Sequence, residues 1–363
     1  MKGEKSVNQE VLKELEYISQ SGGQPVEYTQ GGGGNTSAKL DDKLMAVKAS
    51  GFKLKQIHPD SGYVVLNYPE VKSYFAAIDL KVEKDYEKES MAFIRSQIVE
   101  TPHAVGLRPS VEAGFHSILK KYVIHTHSVY ANMLCCTTGG KERVEAIFKD
   151  KPYKCAWIPY INPGFSLTLA MQEVIDACVD TTGKFPLVFF MENHGLVVTD
   201  DDSKVCVARH QEVNDTIKAA LGLTEPFPQL VLEEAADGTA VSRTPFLKSF
   251  FEQPGISPSF LEDTKLYPDQ LVYLNDGVAV NGITNGAPGA SVKLNITTPE
   301  GSLLYTVSPS EALTLEESLL AYVYLVDAMK RAGLPIQTMT AAAVSFIRNW
   351  ESEAYRKSLS QKK

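Results

Sequence analysis

Residues 186–199 read PLVFFMENHGLVVT, an apolar stretch interrupted once, at Asn193-His194-Gly195. It reads as strand on both sides of a turn that the glycine permits. Upstream, YVIHTH (122–127) reads as a second buried strand and also ends in histidine. KLMAVKA (43–49), YVVLNY (63–68) and KCAWIPYI (154–161) are further strand candidates. Over 9–19, helical spacing puts Val11, Leu12, Leu15 and Ile18 on one face, with Gly22-Gly23 as the stop. Residues 83–98, 110–122, 165–179 and 203–221 read as more helices. Helices and strands mixed without a regular βα alternation predict an α/β fold, a three-layer α/β/α domain around a mixed central sheet.

Two prolines in GLTEPFPQ mark a boundary near 223–228, so 1–224 is expected to form this domain and 225–363 a smaller α+β unit packed on it. Gly, Pro, Ser, Thr and Asn are frequent over 236–310. Strand-like pieces occur there at 271–274 (LVYL), 277–280 and 291–296, and helices are expected at about 315–332 and 340–358.

The 363 residues include 36 basic and 44 acidic side chains, a formal charge of −8 at pH 7. That balance, with no Lys/Arg-rich block, argues against a nucleic-acid binder, whose affinity rests on phosphate neutralisation. No apolar run reaches the roughly 18 residues that span a bilayer, and the N-terminal MKGEKSVNQEVLKELE is too polar for a signal peptide. The expectation is a cytoplasmic protein without membrane partners. Five cysteines, an odd number with no C-x-x-C, read as reduced. All seven histidines precede residue 211, and 211–363 has neither His nor Cys. Metal chemistry is therefore expected in the N-terminal part, with no metal ligand from the C-terminal unit.

His125 and His127 are two apart on a strand, so their imidazoles share a face about 7 Å apart and can converge on one ion. Two hydrogen-bonded histidines at a strand end would give the same pattern. His194, just past the apolar strand at 186–191, adds a third imidazole. Three histidines with an open position are the recurring catalytic-zinc arrangement. Glu112 lies near the start of a short helix. It is either a ligand or base beside the metal, or a first-turn glutamate favoured by the helix dipole. His116, one turn on, is assigned a supporting or core role. Gly31–Gly34 fits neither nucleotide-loop pattern, since no G-x-G-x-x-G or G-x-x-x-x-G-K-[ST] can be completed. It leaves open a backbone nest for phosphate oxygens or a flexible loop.

Taken in order, G-G-N-T-S, K-A-S-G, R-P-S-V-E, H-T-H-S, W-I-P-Y and E-N-H-G-L-V-V resemble the class II (metal-dependent) aldolase/adducin family over roughly residues 10–222. That family includes fuculose- and rhamnulose-phosphate aldolases and ribulose-phosphate 4-epimerases. The resemblance implies a homotetramer with His125, His127 and His194 as metal ligands and Glu112 as acid/base. Asn35, Thr36, Ser50, Gly51 and Ser110 would hold the substrate phosphate, and Tyr160 would donate a proton to the aldehyde oxygen. Val111, where a second serine often stands, and a short gap from Glu112 to His125 are similar to the aldolase half of bifunctional rhamnulose-phosphate aldolase/aldehyde dehydrogenase proteins. So are Tyr267-Pro268-Asp269-Gln270-Leu271 and Asn349-Trp350-Glu351. No dinucleotide fingerprint occurs in this chain.

The implied reaction is reversible cleavage of a ketose 1-phosphate to dihydroxyacetone phosphate and a hydroxyaldehyde, with a divalent cation as Lewis acid. Zinc is the first expectation, with manganese, cobalt or iron(II) as alternatives. Two other readings stand beside it: a sugar-phosphate 4-epimerase on the same metal site, and a non-catalytic adducin-like interaction module.

Overall fold

Extended backbone begins where the glycine run ends. β1 (Asn35–Lys39) follows Gly34 directly and pairs antiparallel with β2 (Leu44–Lys48). Asp41 holds the turn between them, its Oδ1 accepting from the backbone N–H of Lys43 and Leu44, each at 2.7 Å. β3 (Tyr63–Asn67) and β4 (Ile98–Val99) extend the sheet on that side. On the other side lie β5 (Tyr122–Thr126), β6 (Cys155–Ile158), β7 (Val188–Met191) and β8 (Gly195–Asp200). The strand order is β4-β3-β2-β1-β5-β8-β7-β6. β6 and β7 are parallel and the other pairs antiparallel, so the sheet is mixed. The computed structural model describes residues 2–101, 104–235, 238–285 and 291–350.

Helices cover both faces. On one side are α1 (Lys2–Gly23), α5 (Val129–Cys135) and α8 (Ser203–Ala220). Leu15, Ile18, Met133 and Val213 bury there against Ala46, Val65, Ile124 and Val198 of the strands. On the other side are α2 (Tyr68–Ala76), α3 (Tyr86–Ser96), α4 (Ala113–Ile118) and α7 (Phe165–Thr182). There Phe75 packs with Val47 and Val64, and Phe115 and Met171 with Val123 and Phe189. α6 (Gly140–Phe148) lies against α5 and β6. This is the α/β/α sandwich expected, and it explains the unbroken apolar strands: β5 is buried on both faces.

A second sheet has the order β12-β11-β13-β14-β10-β9. Its strands are β9 (Leu232–Glu234), β10 (Ala240–Ser242), β11 (Val278–Val280), β12 (Ile283–Thr284), β13 (Leu294–Thr297) and β14 (Ser302–Tyr305). α9 (Pro245–Phe251), α10 (Phe260–Asp263), α11 (Pro268–Leu274), α12 (Pro309–Arg331) and α13 (Ala341–Asn349) accompany it. α12 packs on both α5 and α11, which joins this unit to the first sandwich. The apolar run at 271–274 is helix, not the strand its composition suggests. Every residue of α11 is buried, so the run carries no period, and Pro268 starts it at the first helical turn. The helix expected over 340–358 is described only as Ala341–Asn349; 351–358 lie outside the described residues. No described helix is long and apolar enough to cross a membrane.

Candidate metal centre

The hairpin turn Glu192-Asn193-His194 joins β7 to β8 and puts His194 beside the end of β5. Two local features force this. Asn193 takes a left-handed backbone (φ 48°), and its Nδ2 donates to the carbonyls of Leu266 at 2.8 Å and Gln337 at 2.9 Å. Gly195 sits so close to β5 that a Cβ there would lie 2.4 Å from the carbonyl oxygen of Thr126. No side chain fits, and the two backbones meet.

One ring nitrogen from each of His125, His127 and His194 lies within 4.8 Å of the others. Nε2 of His127 is 3.1 Å from Nε2 of His125. Nδ1 of His125 donates to the Leu196 carbonyl at 3.0 Å, which leaves its Nε2 lone pair facing the cluster. Glu112 Oε2 is 3.3 Å from Nε2 of His125, and Oε1 is 3.3 Å from Nε2 of His194. That Oε1 is buried without a hydrogen bond. Burial pushes His125 and His194 down to about 4 and about 3, so both imidazoles are neutral at pH 7. Burial opposes charging of Glu112, yet its carboxyl is held below its ordinary range, and the Asn35 amide that donates to it favours the charged form. Neutral nitrogen lone pairs turned toward one another beside an orphaned carboxylate oxygen are relieved by a cation. A tetrahedral zinc with Zn–N of about 2.0–2.1 Å spaces its nitrogens by roughly 3.3 Å. The residues fit a divalent ion.

Glu112 sits just before α4, and its side chain makes no capping bond there. Asn35 Nδ2 donates to its Oε2 at 2.6 Å. His116 is fully buried one turn on, bonded to Asn35 and Ser37 rather than to the histidine cluster.

Beside the cluster opens a narrow cleft lined by Gly32, Gly34, Asn35, Lys48, Ser50, Gly51, Ser110, Glu112, His127 and His194. Five expected substrate or acid/base residues thus meet: Asn35, Ser50, Gly51, Ser110 and Glu112. Ser50 and Ser110 are brought together by the bridge between Ala49 and Pro109, and Ser50 Oγ donates to the Pro109 carbonyl at 2.9 Å. Thr36 is not among them. It faces the opposite side of β1, where its hydroxyl meets Ser19 of α1 at 2.6 Å. Tyr160 is also absent from the lining; its hydroxyl is directed to Asn162 Oδ1 at 3.4 Å.

Sequence reading missed two charged groups. Lys48 is 3% exposed and donates to the Gly32 carbonyl at 2.9 Å from the cleft wall. It is the first residue of the K-A-S-G motif, so the signal was in plain view. Asp269, with Pro268 and Trp350, brings the C-terminal unit into the same cleft. Its Oδ2 accepts from His127 Nδ1.

Residues 26–221 match the family model described as Class II Aldolase and Adducin N-terminal domain. An uncharacterized oxidoreductase, YuxG, of Bacillus subtilis (strain 168) is 28% identical over 225 residues, 57% of this chain and 30% of that protein. The chain thus spans under a third of that relative's length. The 3-oxo-tetronate 4-phosphate decarboxylase of Haemophilus influenzae (strain ATCC 51907 / DSM 11121 / KW20 / Rd) is 28% identical over 203 residues, 53% of this chain and 78% of that protein. Among solved structures, the N-terminal class II aldolase domain of a conserved protein from Thermoplasma acidophilum is 23% identical with a TM-score of 0.48. The match covers 58% of this chain and 93% of that one.

Proposed function

This chain belongs to the class II aldolase and adducin family; on that premise we propose that it is an enzyme of the aldolase type that reversibly cleaves a ketose 1-phosphate between C3 and C4. The products are dihydroxyacetone phosphate and a hydroxyaldehyde. The observation that carries this reading is Glu112: a buried carboxylate on the cleft wall, 3.3 Å from Nε2 of both His125 and His194, with one oxygen unpartnered. His125, His127 and His194 would hold a divalent cation, which would supply Lewis acidity toward the carbonyl and neighbouring hydroxyl oxygens of the sugar.

Glu112 handles the proton at carbon. When C3–C4 breaks, the C4 hydroxyl gives its proton to the Glu112 carboxylate as C4 becomes the aldehyde carbon. The bond's electron pair stays on C3 as an enediolate, and Glu112 passes that proton to C3. In the condensation direction the carboxylate takes that proton back. Asn35 fixes which carboxylate oxygen faces the cleft. Ser50, Ser110 and the backbone at Gly51 offer donors to the phosphate, and the Lys48 ammonium balances its charge. The proposal includes zinc as the ion, a homotetramer as the assembly and the cytoplasm as the compartment. Five unpaired cysteines support a reducing setting.

A second reading, favoured by the 3-oxo-tetronate 4-phosphate decarboxylase relative, is decarboxylation of a 3-oxo acid phosphate. It also breaks a carbon–carbon bond next to a carbonyl and leaves an enediolate. One assay separates the two. Wild-type protein and Glu112→Gln are loaded with zinc, manganese or cobalt and offered ketose 1-phosphates and 3-oxo acid phosphates, with aldehyde and carbon dioxide release followed. Aldehyde from the ketose phosphates is expected, slowed about a hundredfold or more in Glu112→Gln at unchanged metal content. Carbon dioxide release alone would favour the second reading, and full cleavage by the variant would remove Glu112 from the chemistry.

A further inference from the structure

The two ring nitrogens of His127 face different partners. Nε2 points into the histidine cluster, and Nδ1 is bonded to Asp269 on the first turn of α11, 142 residues further along the chain and outside the span of the family model. Asp269 is 1% exposed and lines the cleft. We propose that Asp269 is the positioning residue of the metal centre, so that the C-terminal unit completes a site whose ligands all lie in the N-terminal part.

The geometry around it is built for this contact. Gly33 stands where a Cβ would fall 2.1 Å from Asp269 Oδ2 and 2.9 Å from His127 Nδ1, so only glycine leaves room for the pair. The same two helices of the C-terminal unit hold the glycine run in place. Gly32 N–H donates to Tyr273 Oη on α11 at 2.8 Å, and Gly31 N–H donates to Glu317 on α12 at 3.0 Å. A carboxylate on Nδ1–H locks the tautomer in which Nε2 carries the lone pair, fixes the ring's angle and strengthens the nitrogen as a donor. His125 has only a neutral carbonyl in the corresponding place.

The inference rests on the metal-centre reading above, and the experiment distinguishes the two. Full-length wild type, Asp269→Asn, Asp269→Ala and His125→Ala are stripped of metal and titrated with zinc against a chromophoric chelator. Cobalt absorption spectra and melting of the metal-free proteins are recorded in parallel. Both Asp269 variants are expected to bind zinc about 10–100-fold more weakly, with altered cobalt bands and an unchanged metal-free melting temperature. His125→Ala loses the site. Wild-type affinity and spectrum in Asp269→Asn would overturn the proposal while leaving the metal centre standing. No binding even by wild type would overturn both. Should the variants fail to fold, nitrogen-15 shifts of the His127 ring in metal-free wild type decide: a proton on Nδ1 supports the assignment, and a proton on Nε2 refutes it.

Discussion

Asn35 divides one amide between two neighbours. Its Nδ2 donates to Glu112, which turns Oδ1 toward His116, 2.5 Å away. Nε2 of His116 must then carry the proton, and its Nδ1 accepts from the Ser37 hydroxyl at 2.7 Å. Burial keeps this imidazole neutral, pushed down to about 3, so the chain Ser37–His116–Asn35–Glu112 has one polarity and ends at the carboxylate. His116→Phe keeps the stacking on Phe115 but frees the amide to flip. The loss of one such bond, about 1 kcal/mol, predicts turnover down roughly fivefold with metal content unchanged. Unaltered turnover in the variant would make His116 a plain core residue. At this scale the sequence was legible where grammar is local. His125 and His127 two apart on a strand, and His194 before a turn glycine, were found by spacing. The same period of two sets Thr36 apart: Asn35 and Ser37 both reach His116, while Thr36 between them meets Ser19 on the other face. Asp269 had no spacing to betray it, because 142 residues separate it from its partner.

Among the elements, α7 begins under unusual constraint. Its first N–H, at Phe165, donates to Glu87 Oε2 at 2.9 Å, and the preceding Pro163 lines the cleft. Burial pushes the Glu87 carboxyl up to about 7. Because this folded value lies above the ordinary 4.5, the native state binds the extra proton between roughly pH 4.5 and 7, and stability falls as pH rises through that window. Glu87→Gln is permanently neutral there. Its melting temperature should gain on wild type as pH goes from 5 to 8, and a difference independent of pH would refute the assignment. The elements that sequence reading placed well, such as β5 and α8, have clear signals. β5 is a continuous apolar strand, and Asp202 caps α8 by accepting from the N–H of Lys204 and Val205. α11 was misread because burial on all sides erases the period that separates helix from strand.

Across the molecule, one apolar cluster runs from α1, α5 and α8 through Tyr305 of the second sheet to Leu319, Tyr322 and Leu325 of α12. The composition shift near 223–228 says nothing of this shared core, since packing between distant segments leaves no local pattern. A common core predicts one cooperative transition: calorimetry, circular dichroism and tryptophan fluorescence of the full chain should melt together. Two separated transitions would mean that the units unfold independently.

The reach of α11 to His127 also sets an order of events in biosynthesis. The last of the three histidines, His194, leaves the ribosome 75 residues before Asp269, an interval of roughly 4–15 s at about 5–20 residues per second. Throughout that interval the nascent chain has its three candidate ligands but not the carboxylate proposed to orient one of them, nor the Tyr273 and Glu317 anchors of the glycine run. An unfinished polypeptide therefore grips a metal ion weakly. Tight capture waits for the helices that close the core.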